Sequence, residues 1–331
     1  LYLRVFSLRE QFHSFISKMN DFNIHRRPDD NDIFVHNGIA LGVRRLSNIG
    51  LEAVNQPIFS EDKTMAIVFV GKIYNHKSLK STLINKGHVF QTTSDAEVAL
   101  HCYEEYGTDS FSKLNGMFSY AIYNINNKKL ILIRDRAGEK PLYYYNNDEV
   151  LLFASELGSI ISTGLAKRKI NGKALNQYLQ LTYIPAPLTI YENFYKQLPG
   201  YYMEVNLDGE VKCEQYWDVD YSNSKLIQDY GKCKERLRET LFNAVEECMA
   251  SDVPIGTFLS GGIDSTIITG IASKISNKPL DTFTIGYKNR QYDESNRAKL
   301  SAELHKTNHH IFYLNYEDAL PELSKMISNI D

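Results

Sequence analysis

The sequence predicts two domains in series: an antiparallel, sheet-rich α+β domain, then an α/β domain built on a parallel sheet. Three observations predict this. The chain has 331 residues, more than one hydrophobic core usually organises. From about residue 31 to 155 its apolar residues fall into short β-rich runs parted by turn residues. From about residue 229 strand-like runs alternate with helical spacing, the mark of a parallel sheet with helices on its faces.

The first part reads as strands at Met65–Val70, Met117–Tyr123, Leu130–Ile133, Leu142–Tyr145 and Val150–Ala154. Asn126-Asn127 and Asn146-Asn147-Asp148 supply hairpin turns. Helical stretches interrupt near 77–86 and 95–106. Residues 171–216 are a transition punctuated by Pro185, Pro187 and Pro199-Gly200, with a turn at Asn206–Glu210. The polar stretch Asp218–Ser224 is the linker candidate, giving domains of 1–217 and 225–331. Beyond it, Leu237, Leu241, Ala244, Val245 and Cys248 recur at helical spacing and predict a helix over 229–250. A strand at Ile255–Leu259, a helix at about 263–275, a strand at Thr282–Tyr287, a helix at about 293–305 and a strand at His310–Leu314 follow.

Composition narrows the function. Lys plus Arg number 37 against 40 Asp plus Glu, a balance that argues against general nucleic-acid binding. No apolar run is long enough to suggest a membrane span, and no signal-peptide pattern opens the chain. The four cysteines (Cys102, Cys213, Cys233, Cys248) are scattered without metal-ligand spacing. Reduced thiols in a cytoplasmic protein are the expectation.

The chemistry concentrates in Leu259-Ser-Gly-Gly-Ile-Asp-Ser-Thr266, between the first parallel strand and its helix. In open α/β sheets ligands bind at this edge. Gly261 and Gly262 carry no Cβ, so backbone N–H groups could approach an oxyanion, and the helix adds its unsatisfied N–H groups and dipole. Ser260, Ser265 and Thr266 offer hydroxyls. Asp264 suits a phosphate only where Mg²⁺ bridges the two. A tight turn with a serine cap explains the same residues equally well. The loop is no Walker P-loop, because no lysine follows its glycines.

The rest of the chain supplies a resemblance. Val253-Pro-Ile-Gly256 with Ser260–Ser265, Thr282–Tyr287, Tyr292–Ser295 and Thr307–His310 resemble the N-type ATP pyrophosphatases, and more narrowly the asparagine synthetase family. His25–Asp30, Arg44–Ser47, Gly71–His76, Ser94–Glu97, Gly116–Phe118, Arg134–Tyr144 and Ala154–Glu156 resemble that family's class II glutamine amidotransferase domain. The motifs stand in family order along nearly the whole chain. The resemblance implies an Ntn-hydrolase-like glutaminase sandwich followed by an adenine nucleotide alpha hydrolase-like synthetase domain. It implies ATP-dependent amidation of aspartate through β-aspartyl-AMP, releasing AMP and pyrophosphate, with nitrogen from glutamine or ammonia. Leu259, Ser260, Gly261, Gly262, Asp264, Ser265 and Ile285 would hold ATP and its pyrophosphate, and Asp264 the Mg²⁺. Arg45 and Asp95 would bind the α-carboxylate and α-amine of glutamine, with Val70, Gly71 and Lys72 along the oxyanion side. Small-molecule substrates are the partners implied, with no nucleic acid and no membrane, and with room for a homodimer.

Departures cluster on the glutaminase site. The family's opening C-G-I-x-G-F aligns with Leu1–Phe6, which supplies no cysteine nucleophile; either the site is a pseudo-glutaminase or the first residues do not represent the native start. The glycine of R-G-P-D is Arg27, and N-G-E-I-Y-N reads Val70–Asn75, replacing an amide donor by Val70 and an acid by Lys72. An impaired glutaminase on a retained fold is the expectation. Asp331 falls where a further synthetase motif, D-E-P, should begin. The expectation is therefore a truncated synthetase domain holding only its first βαβαβ part, inactive as an isolated fragment. A same-chemistry relative acting on another carboxylate, such as a lactam-forming one, and a non-catalytic binding subunit are the competing functions. His25 and His76 read as loop-positioning residues. Asp293 and Glu294 read either as substrate contacts or as a helix-start pair, and His309-His310 as no metal site.

Overall fold

A computed structural model describes residues 2–3, 11–25, 30–36, 38–45, 55–206, 209–222, 227, 229–250, 253–289 and 291–328. The chain separates into two compact units at residues 220/221.

The first unit runs β1 (Tyr2–Leu3), α1 (Phe12–Phe22), β2 (Asp30–His36), β3 (Ile39–Arg45), β4 (Ile58–Phe59), β5 (Met65–Ile73), α2 (His76–Asn85), α3 (Asp95–Tyr106) and β6 (Gly116–Asn124). It continues with β7 (Lys129–Arg134), β8 (Tyr143–Asn146), β9 (Val150–Ala154), α4 (Leu157–Ser162), α5 (Gly172–Leu181), β10 (Phe194–Lys196), β11 (Tyr201–Val205) and β12 (Val211–Gln215). Two six-stranded antiparallel sheets form among the described residues, in the orders β10-β8-β9-β1-β3-β2 and β12-β11-β7-β6-β5-β4.

Alternation along the strands explains the layering. Ile39, Leu41 and Val43 of β3 meet Ala66, Val68, Ala121 and Leu132 between the sheets. The opposite face of β5, with Ile67, Phe69 and Ile73, packs on Leu83 of α2 and on Ala96, Val98, Ala99 and Leu100 of α3. On the outside of the other sheet, Phe12, Phe15, Ile16 and Met19 of α1 and Leu157 and Ile160 of α4 cover Ala40 and Leu152. Helix, sheet, sheet and helix layers result, which is the α+β sandwich expected. Strands buried on both faces read as near-continuous apolar runs, hence the legibility of Met65–Val70.

In the second unit α6 (Tyr230–Met249) precedes β13 (Gly256–Phe258), α7 (Ile263–Ile275), β14 (Asp281–Tyr287), α8 (Ser295–His305), β15 (Asn308–Leu314) and α9 (Tyr316–Ser328). The three strands are parallel, in the order β13-β14-β15. Val245, Ala272 and Leu280 form one small core, and Leu259, Ala298 and Ala302 another. No helix among the described residues is long and apolar enough to cross a membrane.

Candidate functional site

A cleft of about 690 Å³ opens in the first unit, lined by both sheets and the start of α3. Val70, Gly71 and Asp95 all line it. Gly71 has φ +142°, and a Cβ there would lie 2.1 Å from the Met117 carbonyl oxygen. Only glycine lets β5 run this close to β6. Asp95 opens α3, behind an N-cap in which Ser94 Oγ accepts from the Ala96 N–H at 3.2 Å. Its Oδ2 accepts the Ile73 N–H at 2.8 Å, tying the helix start to the end of β5. Burial pushes the Asp95 carboxyl above its ordinary value, against the Ile73 N–H and the charge of His76, which pull it down.

Lys72 pairs with Met117 one residue beyond the cleft lining. Arg45 ends β3 opposite Asp30; its side chain lies outside the described residues, as do Leu1, Arg26–Asp29, Leu46, Ser47 and Asp331. The structure thus brings together three of the five expected glutamine-binding residues. His25 and His76 behave as loop-holders: His76 Nδ1 is 2.8 Å from the Ile73 carbonyl, and His25 Nε2 lies 3.4 Å from Glu156 of the cleft wall.

The opposite wall comes from the loop after β7. Asp135 is fully buried, and its carboxylate accepts the N–H groups of Ala137 and Glu139 on Oδ1 and of Lys140 on Oδ2, at 2.9–3.1 Å. Arg134 donates to the carbonyls of Gly138, Lys140 and Gln197. This Arg-Asp pair fixes Glu139, Lys140 and Pro141 against the cleft. Gln56, which sequence reasoning passed over, lines it too and exchanges two hydrogen bonds with the Phe69 backbone. Its only signal was a glutamine before a proline in an otherwise apolar stretch.

None of the described cysteines lines the cleft. Cys102 is buried within α3, where burial pushes its thiol up to about 12. Cys213 lies exposed on β12.

In the second unit the Ser260–Gly262 loop leaves the C-terminal end of β13. Gly261 has φ +79°, and a Cβ would meet the Ala298 nitrogen at 2.5 Å and Arg297 Cβ at 2.6 Å. The loop is pressed against the start of α8, and glycine is required on both counts. Ser260 Oγ lies 3.0 Å from Ser265 Oγ and accepts the Gly262 N–H at 3.3 Å. Asp264 stands exposed in the first turn of α7. Leu259 is buried, its N–H bonded to Phe283 and its carbonyl accepting from Thr284 Oγ1. Ile285, on the adjacent strand, is exposed. The loop is therefore a tight turn, exposed from Gly262 to Asp264, that ends at the N-terminus of α7.

Asp293 is drawn inward by its own neighbourhood. It accepts from the Ser295 hydroxyl and N–H and from the Tyr287 N–H, bonds that lower its pKa. It joins β14 to α8, the helix-start reading. His310 Nε2 pairs with Asp281, and His309 Nδ1 lies 2.9 Å from Thr282 Oγ1.

Residues 4–217 match the family model described as glutamine amidotransferase domain, and residues 236–331 match asparagine synthase. The chain belongs to the glutamine amidotransferase domain family. It is 34% identical over 316 residues to asparagine synthetase [glutamine-hydrolyzing] 1 of Bacillus subtilis, covering 96% of this chain and 49% of that protein. It is 35% identical to putative asparagine synthetase [glutamine-hydrolyzing] 2 of Methanocaldococcus jannaschii, covering 92% and 62%. It therefore spans about half the length of the curated relatives it matches. Among solved structures, the glutamine phosphoribosylpyrophosphate amidotransferase of B. subtilis complexed with ADP and GMP matches at 19% identity and a TM-score of 0.40, covering 86% of this chain and 56% of that one.

Proposed function

We propose that the amidotransferase chain is part of an asparagine synthetase-type carbon–nitrogen ligase. In this reading ATP activates the β-carboxylate of aspartate, pyrophosphate and then AMP leave, and ammonia becomes the amide nitrogen. The carrying observation is the Ser260–Ser265 loop, held open against α8 by a glycine that nothing else can replace. Ser260, Gly261, Gly262 and Ser265 then cradle the pyrophosphate through N–H and hydroxyl donors at the head of α7. Leu259 contributes by position, its side chain and backbone being already engaged, while the exposed Ile285 offers a face to the adenosine. Asp264 is the residue proposed to hold Mg²⁺; an exposed carboxylate beside hydroxyls is the oxygen donor set that ion takes. The ion would supply charge neutralisation at the leaving pyrophosphate.

In the first unit the cleft is the proposed glutamine site, with Arg45 and Asp95 on the α-carboxylate and α-amine. Val70 stands where the resembling motif has an asparagine donor, and loss of one oxyanion donor costs roughly 10²–10³ in rate. Lys72 adds a cation where the motif has an acid. The reading is accordingly a ligase that draws on ammonia better than on glutamine.

Pyrophosphate release by the complete protein with ATP and aspartate tests both halves. Release with ammonia exceeding that with glutamine, and lost in Asp264→Ala, is expected. Equal asparagine formation from the two nitrogen sources would overturn the impaired-glutaminase half. Absence of aspartate-dependent release would overturn the ligase.

A further inference from the structure

Away from the cleft, three chain segments meet on the helical face of the first unit. Glu61 comes from the turn between β4 and β5, His88 from the connection between α2 and α3, and His101 from the middle of α3. One ligating atom from each lies within 4.8 Å of the others. His101 is 1% exposed, yet its Nε2 is buried without a hydrogen bond. The nearest carboxylate oxygen, Glu97 Oε1, is 3.7 Å away and already accepts the Gln91 N–H at 2.7 Å. The nitrogen is thereby cut off from water and left with a long ion-pair contact in place of a hydrogen bond, an arrangement that buried polar groups avoid.

From this constellation we propose a second site in the amidotransferase chain, in which Glu61, His88 and His101 bind a divalent transition metal of the zinc type. Two imidazoles and a carboxylate are the donor set for such ions, whereas Mg²⁺ and Ca²⁺ take oxygen ligands. The outer partners are in place. His101 Nδ1 lies 2.5 Å from Glu104 Oε2 and His88 Nε2 lies 3.3 Å from Glu105 Oε2. A carboxylate on the far nitrogen fixes the tautomer and orients the ring, which is how ligating histidines are usually held. In each ring this leaves the other nitrogen for the metal. Glu61 is oriented as well, through Oε1, which accepts the Val89 N–H at 2.6 Å. Lys86 is the cation nearby, and it is spent on Glu105 at 2.6 Å.

Tetrahedral zinc with ligands at ~2.0–2.1 Å needs donors about 3.3 Å apart. Any contraction from the present spacing, 4.8 Å at most, falls on the exposed Glu61 and the partly exposed His88, while the buried His101 stays fixed. Glu104 and Glu97, 2.5 and 3.7 Å from the two nitrogens of His101, bring negative charge that would balance a divalent ion. The fourth position would be left to water. Six residues along α3 from Asp95, roughly 9 Å, the ion would clip the β4–β5 turn to the helix that presents Asp95 to the cleft.

The test is direct metal binding by the complete protein, purified without a polyhistidine tag and stripped by a chelator. Zn²⁺ is titrated calorimetrically, and Co²⁺ is used as a spectroscopic probe. Wild type is expected to bind one Zn²⁺ per chain, with His88→Gln and Glu61→Gln each weakening it at least 10-fold. Both variants change partly or fully exposed side chains and should unfold at the metal-free wild-type temperature. Undiminished stoichiometric binding in the His88→Gln/Glu61→Gln double variant would overturn the proposal. So would a cobalt–thiolate charge-transfer band, which would put the ion on the exposed Cys233 or Cys248, or no zinc binding by wild type.

Discussion

At residue scale, the glycine that shapes the Ser260–Ser265 loop also makes it intolerant. Gly261→Ala forces a side chain into a left-handed backbone and against the backbone of α8. Such strain costs about 1–3 kcal/mol, so a lower melting temperature is expected, together with loss of pyrophosphate release. A variant that melts like wild type would contradict the packing described. Asp95 gives a pH-dependent outcome. Its pKa is raised in the folded state, so the folded protein holds that proton more tightly than the unfolded chain. Stability from this group is greatest in acid and is lost as pH rises from the ordinary carboxylate value through the raised one. Asp95→Asn removes the dependence, so its stability relative to wild type should improve from acid to neutral pH in denaturant titrations, while glutamine binding falls. A constant difference across that range would mean burial does not govern Asp95. The Gly71–His76 and Ser260–Ser265 stretches were legible in the sequence because each is a contiguous motif. The Glu61, His88 and His101 cluster was not, since a turn, a loop and a helix assemble it.

At element scale, legibility followed how each element is buried. β5, β6 and β7 are covered on both faces and stand out as apolar runs. α1 carries Phe12, Phe15, Ile16 and Met19 at helical spacing, a signal that motif-matching over the first thirty residues passes over. α9 holds Pro321 within its length; a proline there reads as a break, although Leu320, Leu323 and Ile327 keep helical spacing on an exposed face. The strand read at Leu142–Tyr145 appears as β8, whereas the short β10 lies in the stretch read as a transition. It rests on aromatic partners across the ladder, Tyr195 with Tyr144 and Phe194 with Tyr145, and such pairing is invisible along a single strand. The β5–β6 ladder yields a prediction. Gly71→Ala cannot keep the observed register, because the added methyl would overlap a backbone carbonyl. Amide hydrogen exchange should accelerate along both strands, with cleft binding lost; unchanged protection would refute the close approach.

At the scale of the whole molecule, the two units differ in how much core they own. Three extensive clusters stabilise the first, whereas two small groups of buried residues hold the second. Burying a large aliphatic or aromatic side chain is worth about 1.5–3 kcal/mol, so the second unit is the less stable. Unfolding should therefore take two steps. The single tryptophan, Trp217, packs near Gly200 and Arg136 in the first unit and should report only the later step, while far-ultraviolet dichroism reports both. Coincident transitions by the two probes would show one cooperative block.

Two glycines on the β5–β6 ladder, Gly71 opposite Phe118 and Gly116 opposite Ile73, carry a consequence for how such chains age. A Cβ at Gly71 would strike the Met117 carbonyl, and one at Gly116 would strike the Lys72 carbonyl, each at 2.1 Å. Neither clash involves a side chain, so no second substitution can relieve either. These positions are locked by backbone alone, whatever becomes of the chemistry beside them. Val70, one residue away, is free of that lock, so the cleft wall can change its chemistry there while the ladder keeps its register.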